Sequence, residues 1–393
     1  MSTPQELKIG VIGAGGRGGL AHLAHRPEEG FRLVAGADVN PLALQRFQER
    51  YGSGAFVTAD YRELLARDEI GAVFITSPDY CHEEHAVAAL QAAKHVYLEK
   101  PMAITIEGCD RILDAARAAG VKLYLGHNMR HFAVVRKMKE LIDAGAIGEV
   151  KAGWCRHFIS YGGDAYFKDW HADRTKSTGL LLQKGAHDID VLHWLCGGYS
   201  RRVVAMGGLT LYDRIADRRA PDEPPRISWG FENWPPLSQV GLNPVIDVED
   251  ISMMLMELDN GVFVSYQQCH YTPDAWRNYT IIGTEGRVEN LGDAPGQSVV
   301  RLWNKRRHYF PEGNQQFEIP PDTGSHGGAD PKIVDEFLRY LRDGGPISTS
   351  PVAARYSVAA GVAATRSLRS GSAPVDVPLL PEEVLSHFAT AVE

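Results

Sequence analysis

At 393 residues the chain is long for one domain, and two domains are the better expectation. Its apolar fraction of 44% is ordinary for a globular protein, and no apolar run is long enough to cross a bilayer as a helix, so no membrane association is expected. A net charge of −8, with no long basic block, excludes a nucleic-acid binder and leaves a small molecule as the expected partner. The five cysteines are scattered, odd in number and never in C-x-x-C spacing, which predicts reduced thiols in a cytoplasmic protein. Met1–Glu6 lacks the basic start and apolar core of a signal peptide.

The first structured stretch, Lys8–Ile12, reads as a buried strand. Gly13, Gly15 and Gly18 then form G-x-G-x-x-G around Gly16 and Arg17, and a helical pattern begins near Gly19. In such a turn the first glycine permits the bend and the second lets backbone approach a pyrophosphate. The third lets the helix pack close, and the helix N-terminus offers N–H groups to the phosphates. A second apolar run, Phe31–Ala37, ends at Asp38, where a dinucleotide fold needs a carboxylate for ribose hydroxyls. The same acid suits a helix N-cap before Pro41, and the two roles are compatible. A carboxylate there repels a 2′-phosphate, so NAD is expected, with NADP the lesser candidate.

Strand and helix patterns then alternate. Helices are predicted at 45–51, 61–66, 85–93 and 107–119, and strands at 55–57, 72–76, 96–100 and 121–125. Six strands with intervening helices give a doubly wound parallel sheet, an α/β Rossmann domain over 1–127. Ligands in such sheets sit beyond the carboxyl ends of the strands. That rule brings Ser77, Glu99-Lys100-Pro101 and His127-Asn128 to the crevice of the glycine turn.

From Asn128 the rhythm changes. A helix is predicted over 132–144, a strand over 150–159 and an irregular aromatic-rich stretch over 161–178. A helix over 180–195 and a strand over 201–211 follow. Residues 220–244 are proline-rich and read as a long loop or lid. Strands 251–258 and 262–270 flank Asp259-Asn260-Gly261, a hairpin signal. Strands 278–282 and 287–290 flank Gly283–Gly286, and the chain ends in helices over 332–342 and 350–368. Residues 128–393 therefore read as an α+β domain with an open, mainly antiparallel sheet, its C-terminal helices being candidates to pack back on the first domain.

Lys100, at the carboxyl end of a strand and fixed by Pro101, could polarise a substrate hydroxyl, or be an ordinary strand-end lysine. Gln183, His187 and Asp190 share one face of a predicted helix. His187 is a candidate base for a hydroxyl proton, with Asp190 to orient it; the alternative is a core histidine with a capping acid. Cys81-His82-Glu83-Glu84-His85 lacks H-E-x-x-H spacing, so no metal is expected and His82 is better placed against a cofactor.

The glycine turn, Glu99-Lys100-Pro101 and Gly179–Asp190, in this order, resemble the glucose–fructose oxidoreductase and inositol dehydrogenase family. Ile147-Gly148-Glu149 and Gly283–Gly286 extend the resemblance over nearly the whole chain. It implies a Rossmann domain plus an α/β domain whose open sheet often makes oligomer contacts, so a homo-oligomer, dimer or tetramer, is expected. It also implies a tightly held NAD(P) and sugar, inositol or polyol substrates. Carried over by position, Lys100 and His187 are the active-site lysine and histidine. Glu99 lies near the nicotinamide ribose, and Ser77, His82 and Asn128 line the cofactor.

One departure stands out. Where many members carry an aspartate four residues before the histidine, this chain has Gln183, followed by Lys184. Glutamine orients but cannot act as a base. The resemblance therefore supports two readings. The first is a dehydrogenase of a secondary hydroxyl. The second is a redox-neutral NAD-dependent glycoside hydrolase, which oxidises the sugar transiently, eliminates the aglycone, adds water and returns the hydride. Its substrate could be an anionic sugar. Tyr166, Trp170, His171, Lys184 and His270 are the candidate substrate-binding groups beside Lys100, Gln183 and His187, because aromatic faces beside charged donors suit a sugar ring.

Overall fold

The computed structural model describes residues 6–228, 233–294, 296–321 and 326–389. In chain order the strands are β1 (Leu7–Ile12), β2 (Phe31–Ala37), β3 (Phe56–Thr58), β4 (Ile70–Ile75), β5 (His95–Glu99), β6 (Leu123–Gly126), β7 (Val150–Phe158), β8 (Ser200–Gly208), β9 (Ile251–Leu258), β10 (Phe263–Cys269), β11 (Trp276–Gly283), β12 (Arg287–Leu291), β13 (Val299–Trp303), β14 (Gln315–Glu318) and β15 (Val375–Asp376). The α-helices are α1 (Pro41–Tyr51), α2 (Tyr61–Leu65), α3 (His82–Gln91), α4 (Ile106–Ala119), α5 (Ala133–Asp143), α6 (Arg174–Ser177), α7 (Leu180–Gln183), α8 (Gly185–Cys196), α9 (Ala329–Asp343), α10 (Pro351–Arg369) and α11 (Glu382–Phe388). They form two compact units. One is Met1–Asn128 with Gly324–Arg355 and Leu380–Glu393; the other is Met129–Thr323 with Tyr356–Leu379.

The first unit holds a six-stranded sheet in the order β3-β2-β1-β4-β5-β6, parallel throughout. The order reverses between β1 and β4, the switch point where such sheets open a crevice for ligand. The central strand β4 is apolar and almost entirely buried, as an uninterrupted run between two helical layers requires. One side of the core joins Ile9, Val11, Leu33, Phe74, Tyr97 and Tyr124 to Ile333, Val334 and Phe337 of α9. Phe337 meets Phe74 edge-on, with ring centroids 5.2 Å apart. Lys122 Nζ donates to the Tyr340 and Leu341 carbonyls at 2.6 and 2.9 Å, satisfying two acceptors in the last turn of α9. Periodicity identifies α9 as a helix; its partner is this sheet.

The second unit holds a nine-stranded sheet in the order β14-β13-β12-β11-β7-β10-β9-β8-β15. All neighbours pair antiparallel except β7 and β10, which run parallel. The predicted hairpin is β9–β10, with Gly261 at φ +80° supplying the left-handed turn residue. Strands β13, β14 and β15 extend the sheet beyond the predicted elements; short edge strands carry little alternation to read. The helix predicted over 180–195 is divided at Lys184 into α7 and α8. Gly185 explains the weak point: glycine propagates a helix poorly, and a Cβ there would stand 3.1 Å from the Tyr266 ring. Within 220–244, Pro236–Ser238 forms a single 3₁₀ turn and the other described residues form no helix or strand longer than an isolated bridge; 229–232 lie outside the described residues.

One face of this sheet is covered by α8. The opposite face exposes Met206, Met253, Leu255 and Phe263. No helix among the described residues is long and apolar enough to cross a membrane.

Candidate active site

The glycine turn is built as its spacing predicts. Gly13 has φ +87°, and a Cβ there would lie 2.5 Å from the Ser77 amide nitrogen. A Cβ on Gly18 would lie 2.2 Å from the Gly13 carbonyl oxygen. The helix expected near Gly19 starts earlier, at Gly16, and runs to Ala24 as a 3₁₀ helix. The bare Gly18 lets this tighter coil follow directly on the turn.

Asp38 closes the turn from the next strand. Its Oδ2 accepts the Gly15 N–H at 2.8 Å and its Oδ1 accepts the Asn40 N–H at 2.8 Å. The N-cap of α1 is Asn40, whose side chain accepts from Leu42 N at 3.0 Å. Asp38 thus keeps carboxylate lone pairs for a ligand, while Gly16 is exposed with open space where a Cβ would be. Asn128 presents a buried Oδ1 with no hydrogen-bond partner, and its Nδ2 donates to Asp330 Oδ1 at 3.3 Å. A turn too tight for a Cβ at Gly13 or Gly18, a carboxylate at the end of β2 and an orphaned amide oxygen fit a bound dinucleotide.

Several predicted residues have structural partners of their own. Arg17 donates through Nε to Glu99 Oε1 at 2.7 Å, and through both terminal nitrogens to Asp330 at 2.7 and 2.9 Å. Burial opposes ionisation of Glu99, but Arg17 and Lys100 outweigh it and hold the carboxyl below its ordinary value. Glu99 Oε2 also accepts the Lys100 N–H at 2.9 Å, fixing the backbone that carries this half-buried lysine. His82 is fully buried, with Nδ1 2.7 Å from the Pro101 carbonyl and Nε2 2.9 Å from the Ser77 carbonyl. Both ring nitrogens thus lie against backbone carbonyls. Ser77 Oγ bonds His85 Nδ1 at 2.9 Å. Glu83 and Glu84 pair with Arg111 and Arg62, so the acids beside His82 are turned to surface ion pairs.

The second unit gathers most of the predicted substrate-binding groups. Lys184 is buried and donates to the Tyr166 hydroxyl at 2.8 Å, its amine lying over the Tyr161 and Tyr166 rings. Burial, then the Arg277 charge, pushes the amine from 10.5 down to about 7. His270 is fully buried, sets its ring edge-on to Tyr166 with centroids 5.6 Å apart, and has no hydrogen-bond partner on either nitrogen. Burial, with smaller contributions from His157, Lys184 and His171, pushes it well below the usual histidine value. His171 meets Tyr166 edge-on at 5.0 Å, stacks on Trp170 at 3.7 Å and bonds Asp169 through Nδ1. Gln183 is buried with Oε1 unpartnered, and His187 is half-buried on the first turn of α8.

Asp190, expected to orient His187, gives both oxygens to Arg130: Nε donates to Oδ2 at 2.8 Å and a terminal nitrogen to Oδ1 at 2.7 Å. This buried, two-pronged ion pair anchors the helix that carries His187.

The residue beside the histidine was not anticipated. Asp188 is fully buried and accepts from Arg277 Nε at 2.9 Å, from the Tyr266 hydroxyl at 3.0 Å and from the Tyr279 hydroxyl; His157 Nδ1 lies at 3.0 Å. Burial opposes its charge, but Arg277 and His157 outweigh it and hold the carboxyl well below the ordinary range. Burial, then Arg277, pushes His157 down to about 3, so this ring is neutral. The partners arrive in cross-strand register: Cys155 lies opposite Tyr266 and Tyr279, and His157 opposite Gln268 and Arg277. A signal exists in the alternation of polar residues at 155/157, 266/268 and 277/279, two apart on three strands.

Comparison with known proteins matches both units. The family model described as "Oxidoreductase family, NAD-binding Rossmann fold" matches residues 7–127, and that described as "Oxidoreductase family, C-terminal alpha/beta domain" matches 139–377. The chain is 26% identical over 370 residues to YteT of Bacillus subtilis (strain 168), a protein named as an oxidoreductase, covering 82% of this chain and 85% of that one. It is 36% identical over 194 residues to inositol 2-dehydrogenase of Ralstonia nicotianae, a match spanning 49% of this chain and 55% of that enzyme. In fold it is similar to levoglucosan dehydrogenase in complex with NADH, with a TM-score of 0.75 at 22% identity, covering 96% of this chain and 100% of that one.

Proposed function

Because this chain belongs to the Gfo/Idh/MocA oxidoreductase family, we propose that it is an NAD-dependent oxidoreductase of a secondary hydroxyl on a sugar, inositol or related polyol. The observation that carries the reading is the bare glycine turn closed by Asp38, on an NAD-binding Rossmann domain. Inositol dehydrogenase among the relatives supports the substrate class. Asp38 favours NAD over NADP, because its carboxylate would oppose a 2′-phosphate.

Bound NAD supplies the hydride acceptor. Lys100 polarises the substrate hydroxyl and His187 takes its proton, with an imidazole suited to that exchange near neutral pH. Gln183 orients the substrate through its amide and holds no proton of the reaction. Asp190 acts through Arg130 by fixing the helix. The expected partner is a small carbohydrate in a cytoplasmic homo-oligomer, a dimer or tetramer formed through the open sheet, whose apolar side chains Met206, Met253, Leu255 and Phe263 stand exposed.

The test is Lys100→Ala, assayed for NADH formation and for NAD affinity. Hydride transfer should vanish while NAD affinity stays within severalfold. Full activity in that variant removes the assignment. The redox-neutral glycoside hydrolase is kept as a second reading because Lys184, Tyr166 and His270 add acid–base groups to a site lacking the aspartate at 183. Release of free sugar from a glycoside, requiring NAD and accumulating no NADH, would select it.

A further inference from the structure

Buried hydrogen-bond donors are nearly always matched by acceptors, and a buried ammonium ordinarily faces a carboxylate. The second unit breaks both rules at one place. Lys184 has three donor positions, and its hydrogen bond goes to the Tyr166 hydroxyl, a neutral group. His270, at 0% exposure, is edge-on to Tyr166 and has neither nitrogen bonded. The neighbouring carboxylates are engaged elsewhere: Asp188 and Asp293 with Arg277, and Asp169 with His171. Trp170 and His171 flank the cluster and are partly exposed, as a rim reached from solvent would be.

Resting on the carbohydrate reading above, we propose that Lys184 and His270 bind an anionic substituent, a carboxylate or a sulfonate, on the sugar substrate. Such a group has several acceptor oxygens and one negative charge. It meets the donors left over by Tyr166 and supplies the counter-ion that Lys184 lacks among the described residues. A neutral hydroxyl has one oxygen and no charge, and would leave the ammonium buried without compensation. The low affinity of the buried amine for its proton agrees with this, because an arriving anion restores the reason to hold it. The position of Lys184, with helical dihedrals one turn before His187, puts this recognition beside the proposed base.

The full chain loaded with NADH, which leaves no acceptor for a hydride from the sugar, is titrated calorimetrically with D-glucose, D-glucuronate and 6-deoxy-6-sulfo-D-glucose. Either acid should bind about 10- to 100-fold tighter than glucose, the range of one charge-assisted contact. Which of the two is tighter separates a carboxylate site from a sulfonate site. Lys184→Met should erase the preference, Lys184→Arg should retain most of it, and His270→Gln should weaken it. Near-ultraviolet circular dichroism, to which the aromatic residues of the second unit contribute, and a cooperative thermal transition report that each variant is folded. Glucose binding as tightly as both acids, or an acid preference intact in Lys184→Met, overturns the proposal. Because binding is read without turnover, an enzyme that prefers acids yet forms no NADH would refute the dehydrogenase reading and leave this one standing.

Discussion

Lys184 and Tyr166 form a buried pair, amine to hydroxyl at 2.8 Å, in which neither partner carries negative charge. Its stability consequence follows from linkage. The lysine's affinity for a proton falls on folding, from 10.5 to about 7, so between those values the unfolded chain binds more protons and stability rises with pH. Lys184→Met removes this dependence. The variant should be more stable than the parent at pH 7, by on the order of 3 kcal/mol, and the difference should shrink steadily toward pH 10. Urea midpoints at pH 7, 8.5 and 10 measure it; a constant difference would show that Lys184 stays charged in the folded chain.

Asp188 offers the opposite test. Replacing it with Asn leaves the partly buried Arg277 with Asp293 as its carboxylate partner among the described residues, farther off at 3.4 Å. Loss of one partner of a buried pair costs about 3–5 kcal/mol. A denaturation midpoint unchanged in Asp188→Asn would mean that Asp293 alone suffices.

The histidines set the acid limb. His157 is pushed down to about 3, and His193, by burial, to about 4. Their folded values lie below the unfolded one, so the unfolded chain takes up protons first. Stability should fall as pH drops from about 6.5 toward 4, before carboxylates protonate. Thermal midpoints across pH 4–7 should rise with pH, and His193→Asn should flatten part of that slope.

Two glycines of the turn should respond unequally. Gly18→Ala forces a methyl to 2.2 Å from the Gly13 carbonyl oxygen, and NAD affinity should fall about 100-fold or more. Gly16→Ala meets open space and carries only the left-handed penalty at φ +45°, about 1–2 kcal/mol at most. Equal losses in the two would mean that backbone conformation, not close approach, governs the site.

Asp38→Ala should relax the discrimination between NAD and NADP by about tenfold or more, read as the ratio of kcat/KM. An unchanged ratio would confine Asp38 to holding Gly15 and Asn40.

The parallel sheet was legible because each strand is an apolar run punctuated by a helix, and the glycine turn because each glycine answers a separate steric demand. The substrate-side groups Tyr166, His171, Lys184 and His270 were legible as residue types. Their convergence depends on which strand lies beside which, and no local pattern states that. Asp188 illustrates the limit: its partners come from β7, β10 and β11, more than 120 residues apart at the extremes, and meet only once the sheet is registered. For Asp190, spacing shows only that it shares a helix face with His187; its bond to Arg130, 60 residues earlier, is written in no local pattern. Likewise, periodicity gives α9 an apolar face without saying which sheet that face covers.

The place of α9 in the core of the first unit has a consequence for synthesis. Phe337 and its neighbours are translated about 200 residues after β6. At about 5–20 residues per second, the ribosome delivers them on the order of ten to forty seconds later. During that interval the amino-terminal sheet emerges with Phe74, Tyr97 and Tyr124 lacking their cover. The nascent chain is then at its most exposed to chaperones, and a messenger cut short before residue 329 would leave a nucleotide fold that never closes.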